Sequence, residues 1–261
     1  IRPPPSRSTG CETVTALALA LLVGAGFLAA AVQAVTGAGF GLVAAPLVTL
    51  LAPGLVPGPL LVVTVVLMGL AVVTGHRTGG RLGRADARLL IPAVVGIVSG
   101  AAAMSPALGW VSEHGALVRT VVGVGVLAAV VPMLVPGFPP PAAGPAGMGG
   151  AGVMAGVLTV LAALPGPPLI LTYPAKDAAR YRTGLAVLFL VASVAALAVL
   201  GVGSAVAPAG WDGVGWFSLG VLTGFGVGAA TCRRLPLSVV TYGSRLTVLA
   251  AGVALLVPGA R

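Results

Sequence analysis

Long apolar stretches follow one another along almost the whole chain and leave little surface that water could cover. The first of them, residues 14–35, has about the 20 residues that a helix needs to cross a bilayer. Of the 261 residues, 58% are hydrophobic and only 7% are charged, whereas soluble domains carry about 25% charged residues. The chain is therefore predicted to be an all-α, polytopic helical integral membrane protein.

The apolar stretches form two halves of four long segments each. A stretch rich in Pro, Gly and Ala and free of charge, residues 137–147, lies between them and is predicted to be a linker. We predict about eight transmembrane segments, in a first repeat over 14–136 and a second over 148–258, after a polar N-terminal segment, 1–13. The predicted long helices cover residues 14–35, 59–74, 89–104, 118–135, 148–164, 184–200, 215–230 and 246–257.

Glycine and proline interrupt the first long segment of each half. Residues 33–41 contain three glycines at alternate positions, and Pro46 follows. Each glycine costs a helix about 1 kcal/mol relative to alanine, and proline removes a backbone donor. The sequence therefore predicts a helix break here, followed by a half-helix over 42–52. Gly166-Pro167-Pro168 predicts a second break, before a short apolar piece over 169–173.

Paired breaks in two halves are typical of the binding site of a transporter, because freed N–H groups and helix dipoles attract small anions. The predicted substrate-binding residues are Gln33, Thr36, Gly37, Gly39, Gly41, Pro46, Gly166, Pro167 and Pro168. Two alternatives to substrate binding stay open. Hydrogen bonds to a neighbouring helix fit Gln33 and Thr36 at least as well, and the glycines also fit a role in close helix packing. The pairs Gly96/Gly100 and Gly152/Gly156 have the spacing typical of such packing.

Other polar residues are weaker candidates. Tyr173 fits an interfacial aromatic better than a ligand-capping hydroxyl. Arg119 and Arg182 are interpreted first as orientation signals and second as attractors of an anion at a pore mouth. His76 and His114 lie in loops, where a proton relay is not expected. The five acidic residues all lie at segment ends or in loops, which argues against a cation site.

No metal or cofactor is predicted, because Cys11 and Cys232, the only cysteines, lack the spacing of a metal or redox motif. The net charge of +9 is interpreted as contact with lipid headgroups rather than with nucleic acid. If each long segment crosses once, seven basic residues fall on each side. The loop 76–88 is the most densely basic and is predicted to lie inside. The sequence leaves the oligomeric state open.

The chain resembles the TauE/SafE sulfite exporter family, also called TSUP, over nearly its whole length. The stretch 37–41 with Pro46 is similar to the family's glycine-rich motif, and 166–168 is similar to its repeat in the second half. Leu219-Gly220 through Arg233-Arg234-Leu235 is similar to the penultimate helix and its basic end. The second motif departs from the family pattern, because Ala163 and Pro165 stand where it usually has glycine.

The resemblance implies transport of small anions, often sulfur-containing ones such as sulfite, sulfonates or thiosulfate, across the cell membrane. A transporter or channel for another solute is the alternative, and a structural membrane subunit a weaker one. A membrane-embedded enzyme is disfavoured, because the five acids and two histidines are scattered. No phosphate-binding loop pattern is present, so ATP coupling would need another chain.

Overall fold

A computed structural model of the protein describes residues 9–52, 58–109, 144–174, 177–201 and 213–231, with the single residues 55, 238, 242 and 246. In these parts the chain is helical and has no strand. A 3₁₀ turn, Ser105–Ala107, follows the fourth helix. The α-helices with described bounds are α1 Thr9–Thr36, α2 Phe40–Leu51, α3 Gly58–Arg77, α4 Arg84–Ala103, α5 Pro145–Ala162, α6 Gly166–Thr172, α7 Ala178–Leu200 and α8 Val214–Thr231.

Six of these helices are long and apolar enough to cross a membrane: α1, α3, α4, α5, α7 and α8. The predicted all-helical membrane fold is confirmed to this extent. The predicted helix 118–135, and all but the first residue of 246–257, lie outside the described residues. A total of about eight segments therefore stays a prediction.

Two pairs of helices approach closely through glycines. In the pair α1/α8, a methyl group added at Gly220 or Gly224 would collide with the backbone of Val23 or Phe27. In the pair α4/α5, the same holds for Gly152 against Ala93. Contacting positions advance together along both helices of each pair, so both pairs run parallel. Small residues permit such backbone contact, and the predicted packing role of the glycine pairs is confirmed.

The pair α3/α7 crosses the centre of the molecule between these two pairs. The end of α3 meets the start of α7, since a methyl group at Gly75 would collide with Thr183. The two helices are therefore antiparallel. Both are buried along one face, with Leu60, Leu67, Leu185 and Leu188 almost inaccessible. This central pair holds the two flanking pairs together.

The described basic residues all lie at one end of the molecule, which we call the basic end. They are Arg77, Arg81, Arg84, Arg88, Arg180 and Arg182, at the end of α3, the start of α4 and the start of α7. Asp86 accepts the Gly83 N–H at 2.8 Å before α4. Asp177 accepts the Ala179 N–H at 2.6 Å before α7. Each carboxylate caps the start of a helix at this end.

Both interrupted segments return to the end from which they enter. The segment α5–α6 starts at the basic end, as α4 does, and Tyr181 in the first turn of α7 donates to the Ile170 carbonyl of α6 at 3.3 Å. The segment α1–α2 starts at the opposite end, where a methyl group at Gly213 would contact both Leu22 and Leu55. The two hairpins therefore enter from opposite ends.

These hairpins correct the even split of basic residues. That split assumed one crossing for each long segment and set Arg182 opposite Arg77, whereas both lie at the basic end. Helix starts are corrected as well: α7 begins at Ala178 instead of residue 184, and α4 at Arg84 instead of 89. Hydropathy omits the polar first turn of a helix, and the capping carboxylates mark the true starts.

Candidate functional site

The first break covers three residues between α1 and α2. Gly37 and Gly39 have φ angles of 79° and 127°, which side chains with a Cβ rarely adopt. The break ends at Phe40, so Gly41 and Pro46 lie inside α2 and do not belong to it. Membrane helices tolerate an internal proline where neighbouring groups satisfy the backbone groups that it frees.

Gln33 bridges the first break with its carboxamide. Its Nε2 donates to the Gly37 carbonyl at 2.8 Å, and its Oε1 accepts the Phe40 N–H at 3.0 Å. Its Nε2 also lies 3.6 Å from the Met68 sulfur in α3. Thr36 donates to the Val32 carbonyl at 2.8 Å. Both side chains thus serve mainly the broken segment itself, rather than the neighbouring helix considered as an alternative.

The second break has a different construction. Ala163 ends α5 in a left-handed conformation with φ 53° and donates its N–H to the Thr159 carbonyl at 2.8 Å. The Leu164 N–H reaches the Leu158 carbonyl at 3.4 Å, so two bonds close the end of α5 around the left-handed residue. The short helix α6 then begins with Gly166, Pro167 and Pro168, all buried. Its two prolines offer no N–H.

The two breaks meet at one small cavity in the middle of the molecule. A methyl group added at Gly41 would lie 2.7 Å from the Ala163 carbonyl oxygen, so the first turn of α2 is in direct contact with the second break. This central cavity has about 20 Å³, enough for a single water molecule. Its lining consists of Gln33, Gly39, Phe40, Gly41, Leu42, Thr64, Met68, Ala163, Leu164, Pro165, Gly166 and Phe189.

The structure thus brings four of the predicted site residues together: Gln33, Gly39, Gly41 and Gly166. Thr36, Pro167 and Pro168 are buried beside the breaks but are not part of that lining. The structure does not describe the side chain of Pro46. Gly37 belongs to a second, larger cavity.

This larger cavity, which we call the vestibule, has about 950 Å³ and is walled by α1, α3, α7 and α8. It is open at the basic end, where Arg77 and Asp177 are exposed, and it reaches inward to the buried residues Gln33 and Gly37. Gln33 lines both the vestibule and the central cavity. A path therefore leads from the basic end of the protein to the first break.

Arg182 is the residue that the sequence interpretation undervalued. Because α7 was expected to begin at residue 184, Arg182 was placed in a loop, whereas it lies in the second turn of α7 and lines the vestibule. Asp177, with its N-cap pattern ahead of an apolar run, was the signal that could have placed it in the helix.

Two other described candidates, Tyr173 and His76, line neither cavity. Tyr173 is buried, packs against Tyr181 with ring centroids 6.0 Å apart, and is no interfacial aromatic. It lies just beyond α6, where burial, with a smaller contribution from Asp86, raises the pKa of its hydroxyl to about 12. His76 is exposed at the end of α3. Arg119 and His114 lie outside the described residues. The described residues contain no cluster of His, Cys, Asp and Glu that could hold a metal.

Six apolar membrane-spanning helices in the described chain, and two broken helices that enter from opposite ends and meet centrally, define a multi-pass helical membrane protein of the transporter class. The family model Sulfite exporter TauE/SafE matches residues 22–255, nearly the whole chain, and the chain belongs to this family. No curated protein and no solved structure matches it.

Proposed function

We propose that this protein is a secondary transporter or facilitator that moves small anions, sulfur-containing ones first among them, across the cytoplasmic membrane. The observation that carries the proposal is the meeting of two broken helices from opposite ends of the molecule at one central cavity. In this class of protein, substrates bind where discontinuous helices meet near the bilayer midplane. Membership in a sulfite exporter family supports sulfite and related oxyanions as substrates.

The polarity of the first break supports an anion. The first N–H groups of a helix have no carbonyl one turn back, which applies to Phe40, Gly41 and Leu42 in α2. The Gln33 carboxamide oxygen accepts the Phe40 N–H. The positive end of the α2 dipole makes the electrostatic potential at this point more positive. Among the side chains that the structure places, the carboxylates are Asp86 and Asp177, both capping helices at the basic end. A cation would have no carboxylate to bind at the centre.

We further propose that residues 14–136 and 148–258 are inverted repeats. In this relation α1 corresponds to α5, α3 to α7 and α4 to α8. The contacting pair α1/α8 then corresponds to the contacting pair α5/α4, and the pair α3/α7 corresponds to itself. The hairpins α1–α2 and α5–α6 exchange in the same way and enter from opposite ends. Such a relation supports alternating access, in which the two halves rock around a fixed central site.

The basic end is proposed to face the cytoplasm. Cytoplasmic loops of membrane proteins carry an excess of Lys and Arg, and the six described arginines all lie at this end. The vestibule then opens to the cytoplasm, whereas the central cavity has room for one water only. This arrangement favours a transporter over an open channel, since an anion cannot pass without a rearrangement at the breaks.

Uptake by liposomes tests the proposal. The purified protein is reconstituted and given radiolabelled sulfite, with unlabelled sulfate, thiosulfate, an organic sulfonate, acetate and chloride as competitors. We expect saturable sulfite uptake that sulfur oxyanions inhibit more strongly than acetate or chloride. Uptake of labelled sulfite no greater than in protein-free liposomes would refute the proposal. Uptake that rises linearly with concentration would favour the channel instead.

A further inference from the structure

We propose that the vestibule contains a second anion site, centred on Arg182, that captures small oxyanions before they reach the central cavity. Its role in transport rests on the proposed function, whereas its ability to bind an oxyanion does not. The site lies at the inner part of the vestibule, next to the first break, and no residue of the central cavity other than Gln33 is shared with it among the described residues.

The stem of Arg182 is fixed against the first break. A methyl group added at Gly37 would lie 2.7 Å from the Arg182 Cγ and 2.8 Å from its Cα. The absence of a side chain at Gly37 therefore makes room for the arginine. Gly37 has a φ of 79°, so its position requires glycine for a second reason. The arginine is held at a defined place on the vestibule wall.

The guanidinium of Arg182 has an unused donor. Its Nη1 is buried and has no hydrogen-bond partner in the described part of the chain. A buried N–H donor without a partner is costly. Because Arg182 lines a cavity of about 950 Å³, a ligand or solvent from the vestibule can supply the missing acceptor.

The charges around Arg182 favour an anion. The described lining of the vestibule carries two positive side chains, Arg77 and Arg182, and one negative one, Asp177. The Asp177 carboxylate already accepts the N–H groups of Ala179 and Arg180, at 2.6 and 3.3 Å. The Thr183 hydroxyl donates to the Ala179 carbonyl at 2.9 Å. The guanidinium is therefore the principal donor that an incoming ligand meets at this depth.

Guanidinium groups bind oxyanions through paired N–H donors in a planar fork, which a lysine cannot reproduce. Sulfite, sulfonates and phosphate share this chemistry, and so does the phosphate of a lipid headgroup. We assign the site to a soluble oxyanion, because the vestibule leads to Gln33 and from there to the central cavity. An oxyanion bound at Arg182 lies near the first break, because the stem of Arg182 packs against Gly37.

Binding to the purified protein tests the site directly. Isothermal titration in detergent with sulfite, and separately with methanesulfonate, compares the wild type with Arg182→Gln, Arg182→Lys and Arg88→Gln. Arg88 is exposed at the same end and does not line the vestibule, so its variant removes an equal charge elsewhere. We expect Arg182→Gln to weaken binding about tenfold or more, since a charge-assisted hydrogen bond is lost. The affinity of Arg182→Lys should lie between those of the wild type and Arg182→Gln, and the affinity of Arg88→Gln should match that of the wild type.

Equal affinity of the wild type and a folded, monodisperse Arg182→Gln protein would overturn the proposal. So would an equal loss in Arg88→Gln, which would indicate a general charge effect. A short-chain phosphatidylglycerol that displaces sulfite far better than inorganic phosphate does would show a lipid-headgroup site and would also overturn it.

Transport separates this inference from the proposed function. In sulfite-transporting liposomes, we expect Arg182→Gln to raise KM about tenfold and to leave the rate at saturation nearly unchanged. An unchanged KM in a transporting protein would overturn the capture site alone. Absence of transport in the wild type would refute the proposed function, while the binding experiment would still decide the site.

Discussion

The two helix breaks meet at the same cavity but are built from different residues. The first uses two glycines with positive φ and the bridging amide of Gln33. The second uses Ala163 in a left-handed conformation and three prolines, with no side-chain cap on α6. In α2 all of the first four residues carry an N–H, whereas in α6 Pro167 and Pro168 have none.

This difference suits the two hairpins to different tasks in the proposed transport. The first break presents backbone donors and a side chain that can exchange partners, so it is suited to bind an anion. The second is stiff at its prolines, whose φ is fixed, and it closes the cavity with the carbonyl of Ala163 and apolar side chains. Two segments in matching places of the two halves thus need not contribute equally to binding.

The strongest test of this comparison is Gly39→Val at the first break. Valine at φ 127° is strained, and it adds a branched side chain at a position that lines the central cavity. We expect sulfite uptake to fall to the level of protein-free liposomes while the protein remains in the membrane. Gly24→Val is the matched control, because Gly24 is exposed on α1 and has open space around it. Normal uptake by a well-folded Gly39→Val protein would remove this glycine from the site.

The second test removes the amide that only the first break has. Gln33→Ala leaves the Phe40 N–H and the Gly37 carbonyl without their present partners in a buried place. We expect the free energy of unfolding to fall by about 2 kcal/mol, together with slower sulfite uptake. Thermal unfolding in detergent measures the first effect. Thr223→Ala, which changes an exposed hydroxyl of α8, should leave the stability unchanged. A Gln33→Ala protein as stable as the wild type would contradict the bridging role.

The smallest effect is expected at the second break. Ala163→Gly relieves the left-handed strain of a residue with a Cβ, so we expect the free energy of unfolding to rise by about 1 kcal/mol. Sulfite uptake should stay unchanged, since the Ala163 carbonyl is retained and the lining of the central cavity loses only one methyl group. The melting temperature checks the expected gain in stability, and the KM of sulfite uptake checks the unchanged transport. A large loss of uptake would show that the second break requires its stiffness, and would narrow the difference between the two breaks.

Local chemistry in the sequence predicts the breaks well and their extent poorly. Glycine and proline mark both places, yet Pro46 lies within α2 and does not end it. The left-handed helix end at Ala163 has no sequence signal, since glycine is the residue expected in a left-handed position. The contact between Gly41 of α2 and Ala163 of the second break depends on how distant helices pack, which no local pattern contains.

Local sequence patterns also fail to predict the place of Arg182 and the grouping of the arginines at the basic end. The polar first turn of α7 makes its start invisible to hydropathy, although Asp177 marks it. Whether Arg182 and Arg77 lie on one side depends on the direction of α6, and a helix of seven residues that includes two prolines does not reveal that direction from its sequence. The vestibule between α1, α3, α7 and α8 is a tertiary feature throughout.

The parallel pair α1/α8 has a consequence for how the protein is made. Gly26 of α1 packs against the Phe217 carbonyl, at the far end of the described chain. Synthesis of the roughly 190 residues between them takes about 10–40 s at common elongation rates. During that time the glycine and alanine face of α1 lies in the bilayer without its final partner. Nascent chains are therefore most exposed to wrong helix association and to membrane quality control before α8 is inserted.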